Sequence, residues 1–420
     1  MDRTSGFLND DLERKSWDEQ RAIQARRLGE MMTHAAAHAP AIGDLLRAAG
    51  VVPSDIRSLE DLARLPVTPK AKLVEMQRDN PPFGGFLAVP LHQVRRIFRS
   101  PGPIYDPQGF DEGWGWEEAL FAAGFRGGDV CINTFGYQMT PAGMMFDDAL
   151  GALGCPLVPT GVGDREVQIE ILRSLAVTGF VGMASFLLQI GERAKEQGLD
   201  PAKHFGLKVA FTTAEPLPDS LRASVEGLFG ATVRQGFGTA DCGCLAYECH
   251  ERGGMHLASR AIVEIADPET GRPLGPGEVG EVVVTLFNRA YPLLRFGTGD
   301  LSAVDHSACA CGRRSPKLRG WLGRCDQLVK VKGMFLHPAA IQAALRAFPE
   351  VTSFRALVTR SENRDVLTLR AETTAQDDGL KARLEERLRE SLRIGADVEW
   401  VAAGTLPADG KVLEDLRKWD

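Results

Sequence analysis

The sequence predicts an α/β protein with a large N-terminal domain, residues 1–325, and a small α+β C-terminal domain, residues 326–420. Two observations lead there. Between residues 130 and 299 short apolar runs (CINTF, CPLVP, GFVGM, KVAFT) alternate with amphipathic segments such as REVQIEILRSLA and DSLRASVEGLF. That alternation is the mark of parallel strands covered by helices. Near Gly323 the character changes: a helix is expected after Pro338, strands near 355–358 and 366–371, and a helix with Leu380, Leu384, Leu388 and Leu392 on one face.

Taken in order, Ser16 with Glu19 three residues on forms a capping box, and helical composition follows to the Ala/His-rich stretch before Pro40. The parallel α/β region comes next. After it, AIVEIADPETGRPLGPGEVGEVVVTLF has two β-rich runs around a Gly/Pro/Asp cluster, a long-looped hairpin that gives the large domain a β-rich portion with mixed pairing. There is no internal repeat.

Composition narrows the function. Forty-nine basic against fifty-six acidic residues give a net charge of -7, with no basic excess for nucleic acid or an anionic membrane. The acidic, polar start lacks the basic and apolar regions of a secretion signal, so the protein is expected in the cytoplasm. A charge-free stretch at 174–191 is diluted by Ser, Thr, Gln and Gly and reads as a buried strand followed by a helix. Eight cysteines without an export signal make a poor disulfide framework. Cys249 and His256 in YECHERGGMH, with Cys309 and Cys311 in SACACGRR, instead offer four ligands on two β-rich segments, which suits a closed, structural tetrahedral zinc site. Cys242 and Cys244 read as packing residues.

Several segments resemble the signature blocks of adenylate-forming enzymes, specifically the phenylacetate-CoA ligase branch, over nearly the whole chain. LEDLARLPVTPKAKL is similar to that branch's opening "LxxLPxTxK" phrase. TTAEPLP resembles the "GAEP" block lining the adenine site, which implies nucleotide contacts for Glu215 and Pro216. QGFGTADCG resembles "YGxTE": Phe237 and Gly238 would lie against adenine and Asp241 would help hold Mg2+, while Ala240 stands where the family has threonine. YPLLRFGTGDLSAV resembles "PLIRYRTGDL", placing Asp300 on the ribose hydroxyls, where a carboxylate accepts two charge-assisted hydrogen bonds. GRCDQLVKVKGMF resembles the hinge block, with Arg324 reaching toward the nucleotide, Asp326 at the pivot of a mobile C-terminal domain and Gly333 admitting coenzyme A. LPADGKVLEDL resembles the terminal block whose lysine, here Lys411, bridges the reacting carboxylate and the α-phosphate. INTFGYQMTPAG and GMASFLLQI resemble walls of the aryl pocket and nominate Phe135, Gly136, Tyr137 and Ser185 as substrate residues. Many members of the branch carry the same four-ligand zinc pattern, and a homodimer is implied.

One block departs from the family. Where members have the phosphate-cradling "SSGTTGKP", this chain reads FRSPGPIYDPQG. Ser100 and Gly102 remain as phosphate-site candidates, Pro101 and Pro103 remove two N–H donors, and Asp106 adds negative charge. The expected activity is ATP-dependent ligation of an aromatic or arylacetic acid to coenzyme A through an acyl-adenylate, with ATP/AMP, Mg2+, coenzyme A and structural Zn2+. The alternative is a nonadenylating acyl-CoA or aryl-acid binding protein on the same scaffold.

Overall fold

The computed structural model describes residues 2–100, 103–110, 112–325, 329–331, 334–336, 338–361, 364–373, 377–407 and 411–417. The chain divides into two compact units: Met1–Thr298 with Ser302–Gly320, and Gly299–Leu301 with Trp321–Asp420.

In the first unit the helix Trp17–His38 starts as its sequence dictates. The Ser16 hydroxyl accepts the Glu19 N–H, and the Glu19 carboxylate accepts the Ser16 N–H at 2.8 Å. Its buried residues, among them Leu28, Met31, Met32 and Ala35, fall on one helical face. The next helix, Pro40–Ala48, opens on a proline, whose missing N–H costs nothing there.

A nine-stranded sheet forms the centre. Leu157–Val158, Cys131–Asn133, Gly179–Gly182, Val209–Thr212 and the first half of Thr232–Thr239 are parallel and lie side by side in that order. The three middle strands are wholly buried, because helices cover both faces. On one face Ile169, Leu172, Leu187, Ile190, Val225 and Phe229 pack with Phe180 and Ala210; on the other, Trp116, Leu120 and Phe146 pack with Val181 and Phe211.

Pairing then changes sense within one strand. Thr232, Val233, Arg234 and Gln235 pair parallel with Val209–Thr212, whereas Gly236 to Thr239 pair antiparallel with Gly243–Tyr247. Two glycines permit this: a Cβ at Gly236 would stand 2.5 Å from the Phe211 ring, and one at Gly238 would stand 2.2 Å from the Gly243 carbonyl oxygen. Met255–Leu257, Lys317–Leu318 and Val304–Asp305 continue the antiparallel half. The long-looped hairpin forms as Ala261–Ala266 with Gly280–Leu286.

The second unit has a four-stranded sheet in the order Ala396–Val401, Arg364–Thr373, Val351–Ser361, Leu413–Asp415. Leu380, Leu384, Leu388 and Leu392 of the helix Asp378–Leu392 are all buried, in a cluster with Val358, Leu367, Leu369 and Val398. Among the described residues no helix is long and apolar enough to cross a membrane.

Candidate active site

Four segments singled out by sequence follow the carboxyl ends of the parallel strands. Phe135 to Tyr137 follow Cys131–Asn133, Ser185 follows Gly179–Gly182, Glu215 follows Val209–Thr212, and Asp241 follows Thr232–Thr239. In open α/β sheets the crevice beyond these ends is where ligands bind.

Ser185 and Glu215, expected on different ligands, form one pair. The Glu215 carboxylate accepts the Ser185 backbone N–H on one oxygen and the Ser185 hydroxyl on the other, both at 2.7 Å. The N–H belongs to the first turn of the helix Ala184–Glu196, where a carboxylate is favoured. Ala214, with φ of 70°, turns the chain immediately before Glu215. Pro216 is exposed beside it.

The aromatic phrase divides between packing and cavity. Phe135 stacks on Phe146, centroids 5.3 Å apart and planes 17° from parallel, and packs against the core. The Gly136 carbonyl oxygen lies 2.6 Å from where a Cβ on Gly143 would stand, so this segment rests directly on the helix Ala142–Ala152. The Tyr137 hydroxyl accepts a 2.9 Å hydrogen bond from the Asn133 amide, and burial, then the Asp147 charge, pushes its phenol up. Tyr137 lines an open cleft of about 520 Å³ with Gln138, Met144, Asp147, Thr160 and Gly161, within the size range of small-ligand sites. Phe237 is half-buried against the core.

Asp241 is 4% exposed. Its Oδ2 pairs with Lys70 Nζ at 2.7 Å, and its Oδ1 has no hydrogen-bond partner among the described residues. Lys70 opens the helix Lys70–Asp79 and was passed over in the sequence reading. The signal was available, because Lys70 ends the LPVTPK phrase.

The departing segment is a hairpin, Val94–Ser100 paired antiparallel with Ile104–Gly109. Ser100 pairs with Ile104, and Pro101 and Pro103 between them carry no N–H donor for a phosphate. Gly102 lies outside the described residues. Ser100 is buried and donates its hydroxyl to Asp106 Oδ2. Asp106, 3% exposed, also leaves Oδ1 without a partner among the described residues; burial, then the Asp241 charge, pushes its carboxyl up to about 8. Gln77 joins the hairpin to the Lys70 helix, donating to the Tyr105 carbonyl and accepting the Tyr105 N–H, each at 2.8 Å. Arg96 is committed to Asp148 at 2.7 and 3.2 Å.

In the second unit Asp300 Oδ1 accepts from Trp321 Nε1 and Arg324 Nη1, each at 3.1 Å. Gly299, at φ of 76°, lies where any Cβ would come within 2.8 Å of the Arg324 guanidinium. Lys411 is exposed, two residues before Leu413, which pairs parallel with Ala356. Asp326 and Gly333 lie outside the described residues.

The Cys/His cluster converges. The ligand atoms of Cys249, His256, Cys309 and Cys311 all lie within 4.8 Å of one another, with Cys249 and Cys309 sulfurs 3.7 Å apart and Cys311 Sγ 3.4 Å from His256 Nε2. Tetrahedral zinc with bonds of about 2.3 Å to sulfur requires sulfurs about 3.8 Å apart. His256 Nδ1 is 3.1 Å from the Ser315 carbonyl oxygen, a contact that as a donor would turn Nε2 toward the cluster as the ligand. The residues present fit this metal.

A sheet with acid and aromatic groups along its carboxyl edge, followed by a small α+β unit, is the architecture of an AMP-binding enzyme. Residues 150–286 match the AMP-binding enzyme family and residues 333–414 its C-terminal domain. Phenylacetate-coenzyme A ligase of Thermus thermophilus is 32% identical over 365 residues, 84% of this chain and 81% of the relative. The Escherichia coli enzyme of the same name is 29% identical across 97% of each chain. A crystal structure of 2-hydroxyisobutyryl-CoA ligase, in an open conformation with 2-HIB-AMP and CoA, superposes with a TM-score of 0.85 at 25% identity, covering 96% of this chain and 92% of that one. The chain belongs to the phenylacetate-CoA ligase family of AMP-forming acid-CoA ligases.

Proposed function

We propose that this protein activates an aromatic or arylacetic carboxylic acid with ATP and passes the acyl group to coenzyme A. The observation that carries this reading is the placement of Tyr137, the Ser185–Glu215 pair and Asp241 at successive carboxyl ends of one parallel sheet, in a chain whose relatives are phenylacetate-CoA ligases. A carboxylate oxygen of the acid attacks the α-phosphorus and pyrophosphate leaves. The coenzyme A sulfur then attacks the acyl carbonyl, AMP leaves, and the thiol proton passes to solvent.

In this proposal Tyr137 borders the acid, Glu215, Pro216, Phe237 and Gly238 border adenine, and Asp300 with Arg324 holds the ribose. Lys411 would stabilise charge developing between carboxylate and α-phosphate, an effect of about 3 kcal/mol for one such donor. Asp326 serves as the hinge, residues 1–325 and 326–420 as the moving domains, and Gly333 as the coenzyme A approach. Magnesium, when bound, would offset phosphate charge, with Asp241 as its protein ligand. Zinc on Cys249, His256, Cys309 and Cys311 would be structural. A homodimer in the cytoplasm completes the proposal.

Carboxylate-dependent ATP–pyrophosphate exchange over benzoic, phenylacetic and indoleacetic acids tests it. We expect exchange with at least one acid and its loss in Lys411→Ala. The altered phosphate segment, with Pro101, Pro103 and Asp106, favours the second reading, an acyl-CoA or aryl-acid binding protein without adenylation. Absence of both exchange and ATP binding by calorimetry would select that reading.

A further inference from the structure

Three elements supply titratable side chains within electrostatic reach of one another. Asp106 comes from Ile104–Gly109, Asp241 from the turn after Thr232–Thr239, and Lys70 from the start of the helix Lys70–Asp79. Each carboxylate has one oxygen engaged, Asp106 by the Ser100 hydroxyl and Asp241 by the Lys70 ammonium. Each leaves its Oδ1 buried and unpartnered among the described residues. Leaving such an oxygen unsatisfied costs on the order of 1–3 kcal/mol, more when charged, so two of them close enough to repel call for a shared partner. Lys70 supplies only one positive charge, and it is placed on Asp241 Oδ2.

We propose that Asp106 and Asp241 together ligate a divalent cation that accompanies the nucleotide, with Lys70 as the placeholder that the ion displaces. This rests on the nucleotide-binding reading above and adds a ligand where the chain departs from its family. Hard carboxylate oxygens suit magnesium or manganese, which keep several waters and bind through one or two protein carboxylates plus phosphate. Pro101 and Pro103 leave the hairpin two N–H donors short, between its strands, for cradling phosphates. A cation anchored on its buried strand would attract them instead. Lys70, a quarter exposed, could then turn from Asp241 toward the same anion.

The test is manganese binding by electron paramagnetic resonance on the full-length protein, saturated first with zinc so that the thiolate cluster does not compete. Wild type is expected to bind one manganese even without nucleotide. Asp106→Asn should weaken it about tenfold or more, as should Asp241→Asn. Lys70→Gln should tighten it several-fold, because the competing ammonium is gone. Circular dichroism and melting of each variant identify any that fail to fold, and Asp106→Glu, which keeps a carboxylate, should restore part of the affinity. Unchanged affinity in folded Asp106→Asn would overturn the proposal, and if that variant still exchanged ATP and pyrophosphate the ligase reading would stand without it. Wild type that binds manganese as proposed but shows neither exchange nor ATP binding would instead overturn the ligase reading and leave the cation site in place.

Discussion

The Cys/His cluster and the Ser100–Ile104 hairpin belong to the same compact unit, yet they answer to different physics. The cluster depends on side-chain identity. Only thiolates and imidazole make this ligand set, so four residues announced it and the fold had only to bring their atoms within 4.8 Å. A phosphate loop depends on backbone N–H groups, which nearly any residue supplies, and its function can pass to other positive charge. The first kind of site resists substitution and is legible. The second can be dismantled locally while its neighbours Lys70 and Asp241 keep their pairing at 2.7 Å.

The largest expected effect breaks the metal half of this comparison. Cys311→Ser should lose stoichiometric zinc by elemental analysis and lower urea-measured stability by about 3 kcal/mol or more, because structural zinc contributes folding free energy directly. Full zinc with unchanged stability in that variant would refute the structural role.

A second effect lies behind the cluster. Tyr247, whose ring is 6.3 Å from that of His256, donates to Glu118 at 2.8 Å, and the Ser259 N–H and hydroxyl donate to the other Glu118 oxygen. Burial, then the Glu13 charge, pushes the Glu118 carboxyl up from 4.5 to about 7. The folded state therefore binds the proton more tightly than the unfolded state. The Glu118 contribution is full below about pH 4.5, is lost as pH rises to about 7, and is flat beyond, a swing on the order of 3 kcal/mol. Glu118→Gln should flatten the stability profile across that window, as read by denaturation at pH 5 and pH 7. An identical slope in both proteins would show that Glu118 does not titrate there.

The smallest effect sharpens the hairpin half. Pro101→Ser with Pro103→Thr returns two N–H donors, each worth about 1 kcal/mol if it reaches a phosphate. The KM for ATP should then fall several-fold while kcat changes little. No change would mean that the connection is too short to reach the nucleotide whatever its donors.

Much of the fold was legible. The leucines of Asp378–Leu392, the Ser16–Glu19 box and the strand–helix alternation each follow from a period or a cap within a few residues. Where a phrase carried a candidate, as with Glu215 and Asp241, the sequence singled it out. Their partners were less legible: Ser185 joins Glu215 across thirty positions, and Lys70 joins Asp241 across 171. Phe135 and Tyr137 stand two apart in one phrase, yet one stacks against the core and the other borders a cleft.

By itself the sequence determined the architecture, through periodicity and caps, and the family, through its signature phrases, and it singled out the four Cys/His residues that converge, because these are properties of residue type and spacing. Only the tertiary structure decided that Asp106 is buried, that the Asp241 and Lys70 charges act on it, and that Ser100 pairs with Ile104. Burial and electrostatic neighbourhood arise from segments far apart in the chain, and no local pattern encodes which carboxylates will meet.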